Sequence, residues 1–240
     1  MKKKILGTIA LGSLLLITGC NVMAAEKGEQ QSVNINKDSA EQLKVELNIG
    51  VGNLDVTAGS NEWIEGTLEY SNKKLEPEVS YDLRGKTGKV KIDQQNDGFA
   101  SNLNMGDFKN DWDLQLSEDV PMDLEVNNGA SDTELNLSGL QLTSLEVNSG
   151  VGDLTLDLSG DWKESFSTNV AMGVGDTTMI LPKDVGVKVT SSKGIGSSNF
   201  EGFISRGDGV YVNEAYKNAD VILTVNMELG VGDINFKIED

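Results

Sequence analysis

"LEVNSGVGDLTLDLSG", Leu145 to Gly160, decides the fold. Before its turn, Leu145, Val147 and Val151 share one parity; after it, Leu154, Leu156 and Leu158 share the other. Successive strand residues point to opposite faces, so the slip across Gly152-Asp153 marks a bend that keeps apolar side chains inside. Glycine permits such a bend, and Asp, Asn or Ser can bond the local backbone there. The stretch reads as strand, corner, strand.

The corner recurs. Val45, Leu47, Ile49 and Val51 pass to Leu54 and Val56 across Gly52-Asn53, with Gly50 just before. The same slip occurs at Ser131-Asp132, at Gly175-Asp176 and, less cleanly, at Gly196-Ser197. It occurs again at Gly232-Asp233, between the run ending in Val231 and the set Ile234, Phe236, Ile238. The leading glycines Gly129, Gly150, Gly173 and Gly194 are spaced 21, 23 and 21 residues apart. That period predicts the coils of a β-solenoid, each stacked on the last around a shared core. Gly230 follows 36 residues after Gly194, and the excess "FISRGDGVYVNEAYKN" predicts a hairpin inserted near 203–218. Between Gly50 and Gly129, "WIEGTLEYS", "EVSYDLRGKTGKVKIDQ" and "DWDLQLSEDVPMDLEV" predict antiparallel strands with turns. The expected architecture is all-β: an antiparallel N-terminal β region over 40–118, then a β-solenoid-like stack of about 21-residue coils over 119–240, with a single core continuous across the two left open. With 5% aromatic residues and 27 Gly, the core is expected to be thin layers of aliphatic side chains.

The first 19 residues read as an export signal. Lys2, Lys3 and Lys4 precede the apolar "ILGTIALGSLLLIT", too short to span a bilayer, and the stretch ends in "ITGC". Small residues before Cys20 resemble the lipobox of bacterial lipoproteins. The resemblance implies a signal peptide over 1–19, acyl chains such as palmitate on Cys20, and a membrane-anchored protein on the extracytoplasmic face. A plain signal peptide with a coincidental Cys is the competing reading. Residues 20–39, polar and without a sustained period, are expected to form a tether.

Charge and composition remove several classes of chemistry. Without the three signal lysines, 17 basic side chains stand against 38 acidic ones, a net of −21 that disfavours nucleic acid. The chain has no His, and Cys20 is its single Cys, so disulfides, His-based triads and the usual zinc ligands are absent. "RGKTG", Arg84 to Gly88, is not a phosphate loop, because Ser80 stands where the first glycine belongs. No cofactor is expected, and a small-molecule substrate is not favoured. Carboxylates at Asp132, Asp153, Asp176 and Asp233 occupy equivalent corner positions and are read as structural, with a calcium ladder as the alternative. Trp63, Trp112 and Trp162 could stack on sugars if exposed, and Arg206-Gly207-Asp208 could serve adhesion. The cations Lys73, Lys74, Arg84, Lys86, Lys89 and Lys91 could form a binding face.

"LPKDVGVKVTSSKGIGSSNFEGF", "GVYVNEAY" and the closing "VNMELGVGDINFKI" together resemble the toast-rack and LiaF-like (cell-wall-active-antibiotic response) domain group, and are similar to adhesin-like bacterial β-solenoids. The resemblance covers about 40–240. Its regulators carry membrane helices before this domain, where this chain carries a lipobox. The address and the resemblance together lead to a non-enzymatic cell envelope protein that docks on an envelope partner in a stress response. A surface adhesin or wall-glycan binder is the alternative, and an enzyme built on a carboxylate pair is the third reading.

Overall fold

The computed structural model describes residues 29–71, 73–94 and 109–239. Seventeen strands follow one another: β1 (Glu29–Ile35), β2 (Gln42–Ala58), β3 (Ile64–Tyr70), β4 (Pro77–Arg84), β5 (Thr87–Gln94), β6 (Asn110–Leu116), β7 (Pro121–Asn136), β8 (Gln141–Val151), β9 (Leu154–Asp157), β10 (Phe166–Val174), β11 (Thr177–Pro182), β12 (Gly186–Ile195), β13 (Ser198–Phe200), β14 (Ile204–Gly207), β15 (Val210–Val212), β16 (Ile222–Val231) and β17 (Ile234–Glu239). They form one hydrogen-bonded sheet folded over along a row of corners. The chain resembles an all-β, solenoid-like stack, as the periodicity predicts.

The two sides of the fold are parallel ladders in register. On the first, β5, β2, β7, β8, β10, β16 and β12 lie side by side, in that order. On the second, β6, β2, β7, β9, β11, β17 and β13 do. Strands β2 and β7 are long enough to run through the corner onto both sides. Inward residues such as Val45, Leu47, Leu145, Val147, Leu156, Val225 and Phe236 are fully buried in a single apolar cluster. Leu137, Leu140, Leu158 and Trp162, on the connections that return to the first side, close the core.

The stacking order departs from chain order at both ends. The last coil, β16–β17, lies between β10–β11 and β12–β13. At the other end, β5 and β6 form the outermost coil, with the earlier β2 inside them. Each outer coil is then covered by antiparallel strands: β4 on β5, β3 on β6 with β1 beyond it, and β15 on β12 followed by β14. These antiparallel strands cover the ladder edges at β5, β6 and β12, which would otherwise invite strand addition; among the described strands β13 pairs with β17 alone.

Two expectations change accordingly, and one question left open by the sequence is answered. The stretch 20–39 is not tether throughout, because Glu29–Ile35 pairs residue for residue with β3. Across 118/119 the core is continuous, the arrangement the sequence left open: β2 and β7 are direct neighbours over most of their lengths, and one apolar cluster runs from Val33 to Phe236. The interval between Gly194 and Gly230 holds the β14–β15 hairpin, but it also carries the chain back past β12 into the interior of the stack.

The turn between β1 and β2 is pinned by Asp38. Its Oδ1 accepts the Ala40 N–H at 2.9 Å and the Trp63 Nε1–H at 3.2 Å, and its Oδ2 accepts the Tyr81 hydroxyl at 2.7 Å. These bonds, the tyrosine's first, hold the Asp38 carboxyl below its usual range. Burial, then the bond to Asp38, pushes Tyr81 up to about 12. Asp38 therefore contributes stability above the unfolded carboxylate range, lost as pH falls through its lowered folded value. Tyr81 contributes below its ordinary ionisation near 10, and that contribution is lost as pH rises through about 12. Phenolate absorbance is expected to show one of the four tyrosines titrating near 12, and Asp38→Asn to bring it back toward 10.

Candidate functional site

The corners stack into two glycine columns. In the first, running Gly50, Gly129, Gly150, Gly173, Gly230, Gly194, a Cβ on each glycine after Gly50 would lie 2.2–2.5 Å from the carbonyl oxygen of the glycine before it. In the second, Gly52, Gly152, Gly175, Gly232 and Gly196 hold φ between +129° and +145°. A Cβ there would come within 1.7–2.1 Å of a neighbouring carbonyl. Both columns therefore demand glycine for clearance, and the second also for conformation. Ser131 is the exception: β7 runs through its corner unbroken, and its hydroxyl lies 3.1 Å from the Asp132 carbonyl oxygen.

The corner aspartates form a carboxylate ladder. Asp132 Oδ1 accepts the Asp153 N–H at 3.0 Å, Asp153 Oδ1 that of Asp176 at 2.9 Å, Asp176 Oδ1 that of Asp233 at 2.9 Å, and Asp233 Oδ1 that of Ser197 at 2.7 Å. Each acid serves the next coil in space, which is also the next in sequence for Asp132 and Asp153 but not for Asp176 and Asp233. The ladder ends at Ser197, on the last parallel coil, where no further corner N–H needs an acceptor. At the other end Asn53 donates its Nδ2–H to Asp111 at 2.8 Å. Among the described residues no group of three or more His, Cys, Asp or Glu is placed to hold a metal ion. Asp153→Ala is expected to cost about 1 kcal/mol, lowering Tm by about 2–4 °C. Asp153→Asn, which keeps the acceptor, is expected to be nearly neutral, and millimolar calcium to leave Tm unchanged. A calcium-dependent rise lost in Asp153→Ala would assign the ladder to the cation instead.

Where glycine leaves no side chain, a trough of about 970 Å³ crosses the corners. One wall is the register series Asn48, Asn127, Asn148, Ala171, Glu228, Ser192. Asn127 donates to Asn48 at 2.9 Å and Asn148 to Asn127 at 3.0 Å, forming an amide ladder. Beside the glycines runs a second register series, Val51, Ala130, Val151, Val174, Val231, Ile195. Val151, Val174, Val231 and Ile195 are 52%, 46%, 42% and 72% exposed, an aliphatic ridge outside the core. The parity pattern counts these residues with the inward set. The bend itself turns them out, which the sequence signalled only as a fixed offset from each glycine.

Other candidates fall elsewhere. Trp63, Trp112 and Trp162 are buried, so none is a sugar platform; Trp162 donates to the Leu158 carbonyl at 2.7 Å and packs on Phe166. Arg206-Gly207-Asp208 sits exposed at the tip of the β14–β15 hairpin, with Asp208 at φ +50°. Of the basic residues, Arg84 pairs with Asp82, Lys86 with Glu41, and Lys91 with Glu46. Asp55 stands in register between Asp113 and Glu134. Burial, then those two charges, raises its carboxyl. Cys20 and the signal segment lie outside the described residues.

The chain fits two family models: "N-terminal domain of toast_rack" over residues 24–180, and "Cell wall-active antibiotics response LiaF, C-terminal" over 131–236. A crystal structure from Clostridium sporogenes, of a protein provisionally named for cell adhesion, is 32% identical. The match covers 89% of this chain and 100% of that one, with a TM-score of 0.85. A provisionally named adhesin from Bacteroides fragilis is 13% identical over 88% of this chain and 98% of its own, at a TM-score of 0.35, too low to carry an argument. No curated protein matches. The two family models overlap in the middle of one unbroken stack, and the clostridial chain overlays that stack from end to end: this chain belongs to the toast_rack family.

Proposed function

We propose that the protein is a non-enzymatic, lipid-anchored module on the extracytoplasmic face of the cell envelope, which docks on an envelope protein in a stress response. The observation that carries this reading is the LiaF-like match over residues 131–236. Three features support it. The chain lacks His, and "ITGC" ends at Cys20, nine residues before β1 begins at Glu29. Among the described residues no helix is long and apolar enough to cross a membrane. The trough is an open, extended concavity suited to a large partner and is not built as an enclosed reaction chamber. Adhesion is the second reading, favoured by the provisional name of the 32%-identical clostridial protein.

The test is crosslinking of the tagged lipoprotein in its own cells, followed by identification of what is captured. A specific membrane sensor or wall-synthesis protein is expected. Capture of host surface protein alone would replace docking with adhesion. In the same cells, Cys20→Ser is expected to move the protein from the membrane fraction to the soluble one; unchanged fractionation would remove the lipid anchor from the proposal.

A further inference from the structure

We propose that the aliphatic ridge at the corners rests in the lipid surface to which the chain is anchored, its side chains seated among the headgroups. This placement depends on the Cys20 anchor of the preceding reading, and the two are tested so that each can fail alone or together.

The ridge is built to protrude. Val51, Val151, Val174, Val231 and Ile195 each stand between two glycines, so no adjacent side chain of their own strand shields them. Ala130 completes the row between Val51 and Val151. At about 4.8 Å per strand, the row runs about 24 Å along the stack. Of the six large apolar side chains exposed among the described residues, four lie in it, and only Leu83 and Ile204 are elsewhere. Its backbone is already satisfied. The carbonyls of Val174, Val231 and Ile195 accept the N–H groups of Gly152, Gly175 and Gly232 at 2.9–3.0 Å, and that of Val51 accepts from the Asn110 side-chain amide. Covering the row leaves these carbonyls bonded, which is what lipid requires of any backbone it touches.

The anchored end of the chain meets the fold on the same rung. Glu29 pairs with Tyr70 and Tyr70 with Asn110, whose carbonyl oxygen lies where a Cβ on the corner glycine Gly52 would fall. The first residue of β1 is therefore level with the corners. Cys20 lies nine residues earlier, a reach of about 30 Å when fully extended. Lipid on Cys20 holds the corner end of the coils close to the bilayer. Size argues against a second copy as the occupant. Four partly exposed aliphatic side chains fall well short of the about 800 Å² per partner that a stable protein interface buries. A tethered ridge meets the bilayer at high effective concentration, so a small apolar area suffices there. The flanking charges set the kind of surface. Asp132, Asp153, Asp176 and Asp233 are exposed two residues beyond Ala130, Val151, Val174 and Val231, so they oppose anionic headgroups and leave zwitterionic ones as the match.

The test uses the full chain purified from its own membranes and reconstituted in phosphatidylcholine vesicles. Cys20 is the single cysteine and its sulfur carries the lipid, so Val174→Cys supplies one free thiol for a nitrobenzoxadiazole label. Lys163→Cys is the comparison, exposed on the connection that enters β10 about 26 Å from Val174. Spin-labelled phosphatidylcholine is expected to quench the label at 174 at least about two-fold more than the label at 163, and admixed phosphatidylglycerol to reduce that difference. Val151→Asp with Val231→Asp, both at exposed positions, is expected to leave Tm unchanged and to lower the quenching at 174 to that at 163. Equal quenching at the two positions in chains that float with the vesicles would overturn the ridge contact and leave the anchor standing. Chains that fail to float would overturn both. A blue-shifted label at 174 that lipid does not quench would give the ridge to a protein contact and overturn its seat in the bilayer.

Discussion

Truncation after Asp220 is expected to unfold the chain from β12 onward and to destabilise β10–β11, instead of trimming one coil from an end. In a solenoid stacked in chain order, the last coil has one neighbour. Here β16 lies between β10 and β12, and β17 between β11 and β13. Its removal uncovers two parallel edges at once and leaves β12 with only the short β15 as a partner. It also removes Leu223, Val225, Met227, Leu229, Ile234 and Phe236, each no more than 3% exposed. Burial of one such side chain contributes about 1.5–3 kcal/mol, and a whole domain nets only about 5–15 kcal/mol. Hydrogen exchange in the truncated chain should show residues 186–213 unprotected and protection reduced over 166–182. Protection of 186–213 as in the full chain would refute the interior placement of the last coil. Deleting the edge strand Glu29–Ile35, which pairs only with β3, should cost far less. A kinetic consequence follows: β12 and β13 cannot complete their parallel pairing until residues 222–239 are available, a non-local requirement of the kind that slows folding.

Gly175→Ala is expected to cost at least about 3 kcal/mol, because two penalties coincide there. The backbone sits at φ +145°, a region nearly closed to side-chain-bearing residues. The added Cβ would also lie 1.9 Å from the Gly152 carbonyl oxygen, within a backbone that neighbouring coils hold in place. A loss of this size corresponds to a fall in Tm of about 6–12 °C for a chain of this length. Gly85→Ala is the matched comparison. Gly85 also has positive φ, +65°, but nothing lies within 4 Å of its Cβ position. It should lose only about 1 kcal/mol, the left-handed penalty alone. Equal losses at the two sites would mean that coil contact contributes nothing at Gly175.

Much of this architecture is legible in the residue pattern, and the reason is local. A corner needs a permissive backbone and an inward switch of parity, and both are written within a few residues at Gly150-Val151-Gly152-Asp153 and its repeats. The role of the aspartates is half legible. Their recurrence marks the corner, but the atom each one serves belongs to a different coil, as when Asp233 accepts from Ser197, 36 residues earlier. The corner at Ser131 lacks the second glycine of the others and its strand continues, so it is marked only by its leading Gly129, by Asp132 and by the parity switch. The trough is not legible as a site. Its floor is the absence of side chains, and the exposed ridge beyond it, Val151, Val174, Val231 and Ile195, consists of residues that the alternation assigns to the core.

The sequence by itself determined the coil: strand, glycine corner, strand, with aliphatic residues inside and a charged exterior. These follow from alternation, φ and solvation, which act between near neighbours along the chain. Only the tertiary structure decided which coil lies beside which. Every coil presents the same parallel ladder and the same glycine column to its neighbours, so the local pattern fits β17 against β11 as well as it fits β13 there. The choice is made by what only the assembled chain supplies: the antiparallel β15 that occupies the far side of β12, the hairpins that close β5 and β6, and the core that becomes continuous when both terminal coils are taken inside.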